Sequence, residues 1–249
     1  MVKPLVAGNW KMNGSRDAVD TLVAEVAAGL AADRAIDCEV LVCPPSVYLE
    51  RTIAACGEAI AVGAQNAEWR DAGAFTGEIA LDMIRDCGAR YVLVGHSERR
   101  EYYGETDEVV ASKMAACISK GLRPILCVGE KLVERTAGQA RAVIERQVAA
   151  VADRLGDVLF AQADIAYEPV WAIGTGETAS PQQANEAHGW IRNLAGSAAS
   201  DLRILYGGSV NAGNAAELLQ EDNLDGALVG GASLKSAGFL TICKAASGA

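Results

Sequence analysis

The sequence predicts an α/β protein, a single closed (β/α)8 barrel of eight parallel strands with surrounding helices, and three observations predict it. Eight short apolar runs alternate with longer helical patterns from one end of the chain to the other. These runs are rich in Val, Ile, Leu, Ala and Cys without polar alternation, as expected of strands buried on both faces of a parallel sheet. No composition break or Pro/Gly/Ser linker interrupts the 249 residues, so 1–249 read as one domain with ample length for a large core. Eight units is the count that closes a barrel. An open doubly wound sheet is the alternative, but its usual Gly-x-Gly-x-x-Gly turn after the first strand is missing from Gly8-Asn9-Trp10-Lys11-Met12-Asn13-Gly14.

The strands are expected at 5–8, 39–43, 60–64, 91–95, 124–128, 164–167, 203–206 and 226–229. Between them, Val19, Leu22, Val23, Val26 and Leu30 mark one apolar helix stripe, and Ile144, Val148, Val151 and Leu155 mark another. Ser180-Pro181-Gln182-Gln183 reads as an N-cap, a proline at the first helical position and a capping-box glutamine. Asp107 and Glu108 suit the positive end of the helix that carries Val110, Met114, Cys117 and Ile118.

Charge and cysteine usage narrow the function classes. With 32 acidic and 22 basic residues the formal charge is −10, and no basic run is segregated from it, so nucleic acid and anionic membranes are not expected partners. A small anionic substrate remains compatible if a few cations and backbone N–H groups act locally. Seven cysteines form no Cys-x-x-Cys pair and leave one over if bridged, which argues against a disulfide framework or a zinc site. Neither a signal peptide nor a run of about 18 apolar residues is visible, so a cytoplasmic protein is expected.

The chemistry is expected around Ala166-Tyr-Glu-Pro-Val-Trp-Ala-Ile-Gly-Thr-Gly-Glu-Thr178. Glu168 stands where a buried strand leaves the sheet, and Pro169 biases it away from helix. Beyond it an apolar tip with Trp171 and Ile173 is flanked by residues that stiffen or turn the chain, the composition of a hinged lid. A lone Glu-Pro in a solvated loop is the bland reading, yet such a loop gains nothing by exposing a tryptophan and an isoleucine. In a barrel the C-terminal ends of the strands converge on one face. Those ends carry Asn9 and Lys11, Gln65-Asn66, His96-Ser97-Glu98, Cys127, Glu168, Gly207-Gly208-Ser209 and Gly230-Gly231. Taken singly, Lys11 reads as a solvated lysine, Cys127 as a small core residue and His188, on an apolar helix face, as structural. The last two glycine pairs let backbone N–H groups approach an anion after strands seven and eight.

Together, Asn9-Trp10-Lys11, the 95–100 run Gly-His-Ser-Glu-Arg-Arg, the lid stretch 167–176, Tyr206-Gly207-Gly208-Ser209 and Val229-Gly230-Gly231-Ala232-Ser233 closely resemble the triosephosphate isomerase family, in order and over essentially the whole chain. The resemblance implies a TIM barrel that interconverts dihydroxyacetone phosphate and D-glyceraldehyde 3-phosphate, the isomerisation shared by glycolysis and gluconeogenesis, with no cofactor and no metal. It implies Glu168 as the base, His96 as a neutral electrophile whose pKa is lowered by a helix N-terminus, and Asn9 and Lys11 as stabilisers of enediolate charge. Gly174, Ser209, Gly230 and Gly231 become phosphate-binding, and a lid over 169–179 excludes water. Glu98, Cys127, Ser97 and Tyr206 take supporting places. The segment from Gln65 to Glu78 is similar to a loop that enters a second subunit, with Thr76 near the partner's site, so a homodimer follows.

Two departures stand out: Ile79-Ala80-Leu81 where the family has a Ser-Pro or Ser-Ala helix start, and Glu177-Thr178-Ala179 where the lid hinge commonly reads Lys-Thr-Ala. A phosphosugar aldolase on the same barrel would need a Schiff-base lysine deep in a strand or a metal cluster, and two scattered histidines make a poor one. A phosphate-binding barrel without catalysis should miss at least one of Asn9, Lys11, His96 and Glu168, and all four are present.

Overall fold

A computed structural model of the chain describes residues 2–173 and 177–248. Among them eight strands, β1 (Leu5–Asn9), β2 (Glu39–Cys43), β3 (Ala61–Ala64), β4 (Tyr91–Val94), β5 (Arg123–Val128), β6 (Asp164–Tyr167), β7 (Ile204–Tyr206) and β8 (Gly226–Val229), form a closed parallel barrel in sequence order. The ring closes where Leu5 to Gly8 of β1 lie beside Gly226 to Val229 of β8. Gly226 has φ +142°, and a Cβ there would stand 1.9 Å from the Leu5 carbonyl oxygen, so the closing position admits only glycine.

Outside run α1 (Arg16–Ala32), α2 (Leu49–Cys56), α3 (Leu81–Asp86), α4 (Ser97–Tyr103), α5 (Asp107–Ser119), α6 (Leu132–Thr136), α7 (Ala140–Leu155), α8 (Val158–Gln162), α9 (Pro181–Ala195), α10 (Ala215–Leu218) and α11 (Ser236–Ser247). The expected strands all form, with ends that move by a residue; the fourth stops at Val94 because Gly95 turns the chain with φ +71°. Val19, Val23 and Val26 of α1 are buried, each worth about 1.5–3 kcal/mol, and α9 opens with the Ser180–Gln183 capping box and Pro181 at its start. The Ile79-Ala80-Leu81 departure resolves simply: α3 starts at Leu81 with Ala80 as a cap that makes no side-chain hydrogen bond, and it runs only six residues. No helix among the described residues is long and apolar enough to cross a membrane.

Period-two alternation divides the strand residues into two layers. Leu5, Ala7, Leu41, Cys43, Ala61, Tyr91, Leu93, Ile125, Cys127, Ala166, Leu205 and Leu228 fill the barrel interior, while Val6, Val40, Val42, Val92 and Val94 pack outward on the helices. At the N-terminal end of the barrel the interior ends in a charged plug. Asp164, fully buried, accepts from Arg123 Nε and Nη2 at 2.8 Å each, and from Arg203 Nε at 2.8 Å and Nη2 at 2.9 Å. Arg203 also donates to Glu39 at 2.6 Å and to the Tyr91 hydroxyl at 3.1 Å. The plug leaves the C-terminal end as the one free for a site.

Candidate active site

At the exit of β6, Glu168 is buried and both of its carboxylate oxygens are engaged. Oε2 accepts the Ser97 N–H at 2.8 Å, and Oε1 lies 2.9 Å from His96 Nε2. Burial pushes the Glu168 pKa up, but the His96 charge and hydrogen bond, the Ser97 N–H and the Lys11 charge together hold it below the ordinary glutamate value.

His96 caps α4 with its ring, since Nδ1 accepts the Glu98 N–H at 3.2 Å. That leaves the Nε2 position to carry the proton of a neutral imidazole, aimed at Glu168. Burial lowers the His96 pKa, yet the facing Glu168 carboxylate outweighs it and the net direction is up. The lowered value implied by the resemblance is therefore corrected for this arrangement: the helix terminus is in place, but a carboxylate 2.9 Å away dominates it.

Lys11 is the one non-glycine residue with positive φ among the described residues, at +50°. Asn9, buried at the end of β1, accepts the Lys11 N–H through Oδ1 at 3.0 Å, and Gln65 Nε2 donates to the Lys11 carbonyl at 2.8 Å. These bonds hold an unfavourable backbone, which aims the ammonium at Glu98 Oε1, 2.5 Å away. The lysine is thus ion-paired and partly buried, not solvated.

Asn9, Lys11, His96 and Glu168 face one cavity of about 370 Å³ whose far wall is built from Ile173, Gly207 to Asn211 and Gly230 to Ala232. Ser209 Oγ donates to the Ala172 carbonyl at 2.8 Å, so the loop after β7 touches the segment that follows Glu168. Gly230 and Gly231 open a short 3-10 helix, Gly231–Leu234, and a Cβ at Gly230 would come within 3.5 Å of Lys11 Cε. Helix-start N–H groups and an ammonium therefore border the same space, a setting for an anion.

A family profile described as Triosephosphate isomerase matches residues 4–246 of this chain. The chain belongs to the triosephosphate isomerase family. It is 52% identical to the triosephosphate isomerase of Dechloromonas aromatica over 251 residues, covering 99% of this chain and 100% of the relative. It is 50% identical to that of Delftia acidovorans, over 99% of this chain and 100% of the relative. With that of Ruthia magnifica it shares 48% identity over 97% and 98%.

Within this family member the supporting residues lie as follows. Ser97 offers its backbone N–H to Glu168 and Glu98 its carboxylate to Lys11. Cys127 is sealed in the barrel interior, where burial and the Glu168 charge push its thiol well up, so it is no nucleophile. Tyr206 is buried against His188 and Tyr167, its ring centroid 6.4 Å from each. His188 is fully buried, with a pKa lowered to about 3 chiefly by desolvation, in keeping with a structural place. Gly174, Thr175 and Gly176 lie outside the described residues. Thr76 stands exposed on the 65–79 loop and is not part of the cavity.

Two residues escaped the sequence reading. A Cβ on Gly129 would stand 1.7 Å from the Glu168 carbonyl oxygen, so the Glu168 backbone packs against a glycine at the exit of β5. Glu130, fully buried, takes Trp171 Nε1 at 2.8 Å, Arg135 Nη1 at 3.0 Å and the Tyr167 hydroxyl at 3.1 Å on one oxygen. Trp171 is consequently half-buried instead of exposed. Gln65, noticed as a strand-end polar residue, holds the Lys11 backbone. Only Gly129-Glu130, a glycine and an acid directly after a strand, left any mark in the sequence.

Proposed function

We propose that this chain interconverts dihydroxyacetone phosphate and D-glyceraldehyde 3-phosphate through an enediolate, as an isomerase of glycolysis and gluconeogenesis. The observation that carries the reading is the convergence of Glu168, His96, Asn9 and Lys11 on a cavity whose other wall is Ser209, Gly230 and Gly231. Glu168 is the base that moves the proton between adjacent carbons. It is ionised and buried, but both oxygens are occupied, so it must release His96 or Ser97 to reach a carbon. Release of His96 removes the larger of the two charges that raise its pKa, the Glu98 carboxylate being the other, and burial, the Lys11 charge and the Glu98 N–H then favour the neutral imidazole. His96 Nε2–H then donates to the substrate oxygen, and Lys11 and Asn9 stabilise the charge that develops there. Ser209, Gly230 and Gly231, with Gly174 of the lid, hold the phosphate. Closure over 169–179 excludes water and keeps the enediolate from losing phosphate. Proton transfer within one molecule needs no external electron acceptor, so these side chains suffice without a cofactor.

A homodimer is part of the proposal. The loop from Gln65 to Glu78 projects from the barrel, with Arg70 stacked on Trp69 and Phe75 at 4.3 and 4.5 Å. Beside Lys11 and Glu98 lies a groove of about 620 Å³, rimmed by the exposed Met12, Met83 and Tyr103. A second copy's loop, carrying Thr76, fits such a groove and would cover its apolar rim. Reduced, unpaired cysteines support a cytoplasmic location.

The test is a coupled assay of glyceraldehyde 3-phosphate conversion with Glu168→Gln run alongside. Turnover that falls by about 10²–10⁴-fold in the variant fits a base at this position. An unaltered protein that binds triose phosphate without converting it would instead mark a binding barrel that has lost catalysis.

A further inference from the structure

Cys38 and Cys243 are 205 residues apart in sequence and meet at the end of the barrel opposite the cavity. Cys38 immediately precedes β2; Cys243 lies in the second half of α11. The Cys38 thiol donates to the Cys243 carbonyl at 3.4 Å, which sets the two cysteines side by side. Around them the last turns of α11 are tied to the segment before β2. Asp37 N–H donates to Ser247 Oγ at 2.7 Å, Ser247 Oγ donates to the Cys243 carbonyl at 2.8 Å, and Lys244 pairs with Asp33 at 2.7 Å.

The two sulfurs differ in character. Cys38 is held below the ordinary thiol value, chiefly by its hydrogen bond with Cys243 and also by Ser247 and the Lys3 charge. Burial pushes Cys56 and Cys117 up to about 12, and pushes Cys43 and Cys127 well up too. Cys243 is likewise pushed up, first by Cys38 and then by burial. A thiolate-prone sulfur beside a second thiol is the arrangement of a reactive and a resolving cysteine. Cys38 is 9% exposed and sits under the C-terminal turn of α11, the part of a helix that frays first.

We propose that Cys38 and Cys243 are a peroxide-sensitive dithiol, which on oxidation forms a disulfide that locks α11 to the entrance of β2. Cys38 thiolate attacks one oxygen of hydrogen peroxide, the O–O bond breaks, and protonation of the departing hydroxide gives water and a Cys38 sulfenic acid. The Cys243 sulfur then attacks the sulfenic sulfur, the S–O bond breaks, and a second water leaves with the Cys243 proton. Two protein thiols have lost two electrons, and peroxide has gained them. Charge no longer opposes ionisation of Cys243 once Cys38 is a sulfenic acid, which favours the second step. The link would join residues at the two ends of the chain across nearly the whole barrel, so it constrains the unfolded chain strongly. Because the pair lies at the end opposite Glu168, turnover should not change.

The experiment treats the reduced, full-length protein with stoichiometric hydrogen peroxide, then counts thiols under denaturing conditions and maps peptides by mass. Expected are a fall from seven titratable thiols to five, one linked peptide pair containing residues 38 and 243, a raised melting midpoint reversed by dithiothreitol, and unchanged kcat. Cys38→Ser should keep its six titratable thiols through the same exposure, whereas Cys243→Ser should fall from six to five, with Cys38 left as a sulfenic acid that dimedone labels. Seven surviving thiols, a bridge between other cysteines, or Cys38 ending as a sulfinic acid with Cys243 free would each overturn the proposal. The mapping is done on the unaltered protein, so a variant that folds poorly does not affect it.

Discussion

The Glu168 carboxylate stands 2.9 Å from His96 Nε2, so the proposed base and the proposed electrophile are held against one another on the wall of the cavity. Each sets the other's protonation: His96 is the strongest influence lowering the Glu168 pKa, and Glu168 the strongest raising that of His96.

This coupling predicts the pH profile. The proposed base must be ionised, and His96 and the Ser97 N–H hold its carboxyl below the ordinary glutamate value, so the acid limb of kcat/KM should fall below the ordinary glutamate range. In His96→Gln the main lowering influence is gone while burial remains, and the limb should move to higher pH. An unmoved limb in that variant, measured by initial rates from pH 4 to 8, would show that His96 does not set it.

Gly129→Ala should damage turnover without touching a catalytic side chain. Its Cβ would lie 1.7 Å from the Glu168 carbonyl, so the strand exit carrying the base must shift. A displacement of about 1 Å costs about 10²-fold in rate. Steady-state kinetics should show the loss in kcat, with stability lowered by about 1–3 kcal/mol; a variant with full kcat would refute the positioning role.

Asp164→Asn tests the opposite end. Removing the charge that receives both Arg123 and Arg203 should cost about 3–5 kcal/mol, a drop in melting midpoint of about 6–20 °C for a chain of this size. The plug is remote from the cavity, so kcat at 25 °C should stay within about twofold of the unaltered enzyme. Calorimetry and the coupled assay together separate the two effects.

Glu177→Lys restores the charge that the family commonly carries at the lid hinge. Glu177 is exposed, and a surface charge is worth about 0–1 kcal/mol, so kcat should change by less than about fivefold. A tenfold change would mean that this charge governs lid opening.

Local pattern carried much of this into the sequence. Buried apolar runs marked every strand, and the residues directly after those runs marked Asn9, Lys11, His96, Glu168 and the glycine pairs, because a barrel gathers strand exits by topology alone. What stayed hidden depends on neighbours distant in sequence. That Gly129 must lack a Cβ is decided by the Glu168 carbonyl, and that Trp171 is tucked in is decided by Glu130. The positive φ of Lys11 follows from bonds to Asn9 and Gln65, and lysine itself gives no sign of it. The raised His96 pKa is hidden for the same reason: a helix terminus is visible in sequence, whereas a carboxylate arriving from another strand is not.

The ladder between β1 and β8 makes completion of the sheet a matter of biosynthetic timing. The first strand emerges from the ribosome early, but its partner, with the glycine that lets the two approach, is made last. Until residue 229 is free, the side of β1 that faces β8, Leu5 to Gly8, is an unpaired apolar edge that invites pairing with any passing strand. Truncated or stalled chains are thus the aggregation-prone species, and holding β1 out of contact until release is a task for whatever shelters the nascent polypeptide.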